Sequence, residues 1–216
     1  MTRYALYFAP PPGAFAETAA RWLGRALPAI SGDLWPLTAS ARRYGFHATL
    51  KAPFRLEPGL TESDLIAAMD RFGATCAPVD LAGLGLADLD GFLALIPQGD
   101  TGPLNDLAAR VVRDFDPLRA PLTPADIARR NPDRLTPRQR ALLDQWGYPF
   151  VLDEFRFHMT LTDRLAPGDA AWVLPLARAC FAAFTDRPLR IDALSLYVEA
   201  PDGLFHPRHR APLSGP

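Results

Sequence analysis

The sequence predicts an α/β (α+β) fold of two related lobes, with two mainly antiparallel sheets and flanking helices around a central cleft. Three observations carry this expectation. A five-residue phrase occurs twice, FHATL at 46–50 and FHMTL at 157–161, in a chain with only four histidines. Each copy is followed by the same order of segments: strand, helix, hairpin. Landmarks also keep a near-constant offset: His47 to His158 is 111 residues, Val79 to Leu189 is 110, and Gly91 to Gly203 is 112. A fixed period of this kind marks an internal duplication. Residues 1–216 are therefore read as one domain of two pseudo-symmetric lobes, interrupted by a helical insertion at about 117–148.

The elements follow in order. RYALYFAP (3–10) is a short β-type run stopped by Pro10, Pro11 and Pro12. Residues 14–27 are Ala-rich, with Phe15, Ala19, Trp22, Leu23 and Leu27 near helical spacing. Residues 28–43 read as loop, and 44–56 as a strand ending at Pro58-Gly59. Thr61, with Asp64 three residues on, predicts a capped helix reaching about Thr75. Residues 78–97 read as a hairpin around Asp90-Gly91, and a helix follows at about 103–115. The second half repeats the plan, with a strand at 154–165, a helix at 169–184 and a hairpin at 188–213 around Asp202-Gly203. The insertion carries Leu-Thr-Pro twice. Thr123 with Asp126, and Thr136 with Gln139, predict two capping boxes with Pro at the first helical position. It is rich in arginine: Arg129, Arg130, Arg134, Arg138 and Arg140. A solvated helical face is the plain reading of that charge; a lid or substrate-binding arm is the sharper one.

Composition bounds the partners. The net charge is −1, so no broad basic surface offers itself to long duplex nucleic acid or to an anionic membrane. An anion site must be a local cluster. Cys76 and Cys180 lie in apolar helix-like stretches and read as buried free thiols. The N-terminal MTRYALYFAPPPG lacks the pattern of a signal peptide, and no run approaches the ~18–20 apolar residues of a membrane span. The expectation is a cytoplasmic protein.

The repeated phrase carries the chemistry. A strand puts residues i, i+2 and i+4 on one face. His47, Thr49 and Lys51 then share a face, with Phe46, Ala48 and Leu50 on the apolar side. Arg156, His158, Thr160 and Thr162 likewise share a face, with Phe155, Phe157, Met159 and Leu161 opposite. Each strand offers an imidazole, a hydroxyl about 6.7 Å further on, and a cation. Two imidazoles suit phosphoester cleavage without a metal: one takes a proton from the attacking oxygen, the other gives one to the leaving oxygen. Thr49 and Thr160 would hydrogen-bond the phosphoryl oxygens, and Lys51 and Arg156 would offset their charge.

Paired H-x-[ST]-hydrophobic phrases on two strands of a bilobal fold resemble the 2H phosphoesterase superfamily. RRYGFHATLKAPF (42–54) and WGYPFVLDEFRFHMTLTDRL (146–165) further resemble a bacterial branch of it named for phosphonate metabolism. The resemblance covers nearly the whole chain. It implies an RNA-ligase-like or cyclic-phosphodiesterase-like fold, with His47 and His158 as the acid/base pair and Thr49 and Thr160 on phosphate. The expected substrate is a cyclic phosphodiester: a 2′,3′-cyclic phosphate on a nucleotide or RNA end, or a cyclic sugar phosphate. The alternatives are a non-catalytic phosphate- or RNA-binding module, and an RNA 2′–5′ end-joining ligase using the same histidines. No cofactor is expected, and no zinc spacing is present. Tyr4, Tyr7, Arg43 and Tyr44 are further candidates to line the cleft. His206 and His209 lack a Thr partner and read as edge or surface residues.

Overall fold

The structure, a computed structural model, describes residues 2–26 and 30–216. Strand β1 (Tyr4–Phe8) leads into helix α1 (Ala14–Trp22). The sequence carries this helix to 27, and Leu27 lies outside the described residues. The expected loop at 28–43 instead contains a 3₁₀ helix (Gly32–Leu37) and a short helix, α2 (Ala39–Tyr44). Both are too short to show a period. Ser31 accepts a hydrogen bond from the Asp33 amide, and Thr38 Oγ1 donates to the Leu34 carbonyl, so side chains hold these turns.

Strand β2 (Ala48–Phe54) begins later than the expected 44, because α2 runs to Tyr44. Helix α3 (Glu62–Thr75) opens on the reciprocal Thr61–Asp64 capping box. Strands β3 (Val79–Leu81), β4 (Gly83–Leu89) and β5 (Phe92–Gln98) follow. The β4–β5 turn places Asp90 at φ 52° and Gly91 at φ 96°, the two left-handed residues a tight hairpin needs. Helix α4 spans Gly102–Asp114. The insertion contributes α5 (Pro124–Ala128) and α6 (Pro137–Trp146), each opened by the capping box its Leu-Thr-Pro predicts.

In the second half, strand β6 is only Met159–Thr160, far shorter than the expected 154–165. The stretch before it contains a 3₁₀ turn, Leu152–Glu154. Only Met159 and Thr160 find strand partners: Met159 pairs with Ala48 and Leu95, and Thr160 with Ala94. Helix α7 (Pro167–Phe181) and strands β7 (Leu189–Ile191), β8 (Ala193–Glu199) and β9 (Phe205–Pro212) complete the chain.

Two antiparallel sheets result, and neither belongs to one half. The larger has the order β4-β5-β6-β2-β1-β8-β9; the smaller is β3-β7. Hairpin β4–β5 comes from the first half but pairs with β6 of the second. Hairpin β8–β9 comes from the second half but pairs with β1 of the first. Among the described residues, the strand groups β4-β5-β6 and β2-β1-β8-β9 meet at the pair Ala48↔Met159. Ala48 and Met159 are sequence equivalents at the 111-residue offset. In the small sheet the central pair is Asp80↔Arg190, equivalents at an offset of 110. Both pairs join positions separated by the sequence's own repeat offset.

The apolar side of each phrase is anchored as the alternation predicts. Phe46, Ala48, Leu50, Phe157, Met159 and Leu161 all join the main core. A fully buried side chain of Leu or Phe size contributes roughly 1.5–3 kcal/mol. Phe46 packs against Phe15 of α1 and Phe181 of α7, and Trp22 Nε1 donates to the Leu161 carbonyl at 2.9 Å. These contacts fix both phrases from behind, leaving their polar faces toward the junction of the two strand groups. No helix among the described residues is long and apolar enough to cross a membrane.

Candidate active site

Each histidine stands one residue before its strand, and the same local device orients both. His47 Nδ1 lies 2.8 Å from the Gly45 carbonyl, and His158 Nδ1 lies 2.8 Å from the Arg156 carbonyl. A carbonyl can only accept, so each Nδ1 carries the proton and each Nε2 keeps a lone pair in the neutral ring. Gly45 makes the first contact possible. It ends α2 at φ 77°, and a Cβ there would come within 2.6 Å of the Arg25 guanidinium.

The register of the strands brings the two phrases together. Extending the antiparallel pair Ala48↔Met159 by one residue each way sets His47 opposite Thr160 and Thr49 opposite His158. Each imidazole thus has the other phrase's hydroxyl as its cross-strand neighbour, on the face away from the core. His47 Nε2 also lies 3.2 Å from Thr49 Oγ1. A cavity of about 380 Å³ opens beside this junction, lined by Thr49, His158, Arg156, Phe92, Tyr148 and Phe155 among others. His47 is not among its lining residues, but its Nε2 contacts Thr49, which is.

The two rings differ in surroundings. His47 stacks on Tyr7 with centroids 3.8 Å apart and planes at 27°. Burial pushes its pKa from the ordinary 6.5 down to about 4; the Gly45 hydrogen bond opposes this, while His158 and Arg25 add to it. At neutral pH His47 is therefore uncharged. His158 meets the edge of Phe92 at 5.9 Å and borders the open cavity.

The two expected cations part company. Arg156 is exposed and lines the cavity. Lys51 does not reach it. Leu6 pairs with Lys51 and Tyr7 with Thr49, so Leu50 is an extra residue on β2 and the alternation breaks there. Lys51 is buried, and its Nζ lies 3.3 Å from the Val112 carbonyl and 3.5 Å from Asp116 Oδ1. Burial lowers its pKa to about 8, partly opposed by Asp116. Thr162, also expected on the polar face, is buried and accepts a hydrogen bond from the Leu93 amide. His209 pairs with Asp70 away from the site. No disulfide joins Cys76 and Cys180, which are free.

Sequence reasoning gives no sign of Tyr148, which lines the cavity, and offers Tyr7 only as one of several neighbours. Tyr7 does carry a signal in retrospect: it alternates with Ala5 in β1 on the face that meets Thr49. Among the described residues, no group of three or more His, Cys, Asp or Glu is placed to hold a metal ion.

Known proteins resemble this chain at three levels. A family model described as "Protein of unknown function (DUF1045)" matches residues 49–206. The chain belongs to the DUF1045 family. Two curated proteins are similar to this DUF1045 chain, both called "Ribose 1,5-bisphosphate phosphokinase PhnN". That of Janthinobacterium sp. (strain Marseille) is 42% identical, covering all of this chain and 51% of the relative. That of Laribacter hongkongensis (strain HLHK9) is 36% identical, covering 93% of this chain and 49% of the relative. The chain thus spans about half the length of these relatives. Among solved structures, E. coli LigT in complex with 3′-AMP overlays with a TM-score of 0.47 at 14% identity, covering 99% of this chain and 98% of that one. LigT in complex with NADP+ gives 0.45 at 14%, with the same coverage. An overlay at that level says nothing of this chain's activity.

Proposed function

We propose that this DUF1045 chain is a two-histidine (2H) phosphoesterase that opens a cyclic phosphodiester by hydrolysis, without a metal. The carrying observation is the pair of imidazoles, each held by an Nδ1–H to the carbonyl two residues back and each one residue before the paired positions Ala48 and Met159. In this reading His47, uncharged at neutral pH, takes a proton from water through Nε2 as the water oxygen bonds to phosphorus. The bond from phosphorus to one ring oxygen breaks on the opposite side. His158, entering as the imidazolium, gives its Nε2 proton to that leaving oxygen. The product is an open phosphate monoester with a free hydroxyl, and a proton exchange with solvent restores both rings. Thr49 and Thr160 donate hydrogen bonds to the non-bridging oxygens, and Arg156 offsets their charge from the cavity wall.

The name of the two relatives supports a sugar phosphate as substrate. It concerns a ribose carrying two phosphates, and opening a cyclic phosphate on a sugar yields a phosphate monoester of that class. We therefore favour a cyclic sugar phosphate over an RNA end. The test is a panel of cyclic nucleotides and cyclic sugar phosphates, assayed with EDTA present. Turnover that vanishes in both His47→Ala and His158→Ala is expected. Binding of the panel without turnover would support a non-catalytic module, and joining of RNA ends would support the ligase direction. Activity lost to EDTA and restored by zinc would overturn the metal-free mechanism.

A further inference from the structure

A second cavity, of about 240 Å³, lies beside Tyr44, a neighbour of His47, and its lining includes six arginines. Arg3 comes from the N-terminal end of the chain and Arg43 from α2. Arg55 follows β2, and Arg119, Arg129 and Arg130 belong to the insertion. Such convergence is unexpected in a chain of net charge −1.

The carboxylates nearby do not neutralise it. Glu199 serves both Arg3 and Arg43. Asp126 serves both Arg55 and Arg129. Asp116 serves both Arg119 and the buried Lys51. Arg130 has no carboxylate within ion-pair reach among the described residues; it lies over the Tyr148 ring, 4.7 Å from its centroid. Six cations thus share three carboxylates, and Arg130 adds a seventh positive charge. Arg55 and Arg119 are spent on structure, since Arg55 holds the α5 capping box and Arg119 also donates to the Ala120 and Gln145 carbonyls. Arg43 donates to the Gly203 carbonyl and to Glu199, Arg129 donates to Asp126, and Arg130 lies over Tyr148; all three guanidinium groups line the cavity. Guanidinium forks in this arrangement fit the oxygens of a dianion.

The cavity is one side chain from the histidines on two routes. Tyr44 lines it, and the Tyr44 ring is 6.1 Å from that of His47. Tyr148 lines the His158 cavity, and carries Arg130, which lines the second one.

We infer that the arginine-lined cavity is a second anion site, which holds a phosphate monoester on the same substrate whose cyclic phosphate lies between the histidines. The inference rests on the two-histidine reading for the cyclic phosphate, but the anion site itself can be tested without it. The substrate class becomes a sugar bearing both a cyclic phosphodiester and a separate phosphate monoester. Tyr44 and Tyr148 would then contact the sugar that joins them.

The test uses the full chain and inorganic pyrophosphate, titrated calorimetrically. In the His47→Ala/His158→Ala variant, saturable binding is expected to persist. Adding Arg43→Gln and Arg130→Gln to that background should weaken it by about tenfold or more. Arg130→Lys, which keeps the charge, should retain most of it. A thermal melt checks that the glutamine variants stay folded. If the arginine substitutions leave binding unchanged, or if no pyrophosphate binds, the inference is overturned. Binding that disappears with the histidines and survives the arginine substitutions places the anion between the histidines alone; the inference then fails while the proposed hydrolysis stands. Arginine-dependent binding in a chain that turns over no cyclic phosphate keeps the second site and removes the hydrolysis.

Discussion

The two copies of Phe-His-x-Thr-Leu share a sequence and a backbone device but not an environment. The first runs into the seven-residue strand β2, with its histidine stacked on Tyr7 and its pKa lowered to about 4. The second runs into a strand of two residues, and its histidine borders an open cavity. The two imidazoles stand at equivalent places in their phrases, and packing gives them different surroundings. In the proposed reaction the two rings do different jobs, one taking a proton and the other giving one.

The largest effect should come from removing either ring. His47→Ala and His158→Ala are each expected to lower kcat by about 10²–10⁴-fold in the cyclic phosphate assay, with the melting temperature little changed at His158. A variant that keeps more than about a tenth of the activity would remove that histidine from proton transfer. Next come the hydroxyls. Thr49→Val and Thr160→Val keep the shape and should cost about tenfold or somewhat more each, as expected for one hydrogen bond to a charged oxygen. Equal losses would show that the phosphate is held symmetrically despite the unequal rings.

The pH profile sharpens the comparison further. With His47 protonating only near pH 4, the acid limb of kcat/KM should lie near 4 rather than near 6.5. Tyr7→Ala exposes the ring to water, so the limb should move upward; a limb that stays in place would mean that something other than this packing sets it. The same shift bears on stability. The unfolded chain takes up the His47 proton near 6.5 and the folded chain only near 4, so this contribution is full above 6.5 and is lost as pH falls through that window. A denaturation series across that window, with His47→Gln as the control, reads it directly. The smallest effect is expected at Lys51. Lys51→Met leaves Asp116 paired with Arg119 and should change kcat less than about twofold, with stability within ~1 kcal/mol of the parent or above it. A collapse of activity would return Lys51 to the site.

Most of what positions the site could be read from alternation and punctuation. Period-2 phasing separated Phe46 and Leu50 from His47 and Thr49, and the Thr-Pro pairs announced α5 and α6. What escaped depended on contacts between distant segments. The Lys51 prediction assumed unbroken alternation, and the extra residue at Leu50 appears only when β2 is laid against β1. Strand β6 shrank because strand length is set by the partners within reach, here Ala48, Ala94 and Leu95. The basic insertion stood out in the sequence, but Arg3, Arg43 and Arg55 lie far before it in the chain and still line the same cavity as Arg129 and Arg130. Only the fold collects them.

The exchanged hairpins bear on how the chain reaches this state. Strand β6 cannot be flanked on both sides without β5 and β2 from the first half, and β1 has no second neighbour until β8 is made. Ladders that join Tyr4 to Val198 close loops of nearly the whole chain, which makes for slow, late ordering. A ribosome releasing the first half alone therefore leaves β1 and β5 with open edges. The histidine pair forms when β6 enters between β5 and β2, and the sheet is completed only later, when the C-terminal hairpin arrives beside β1.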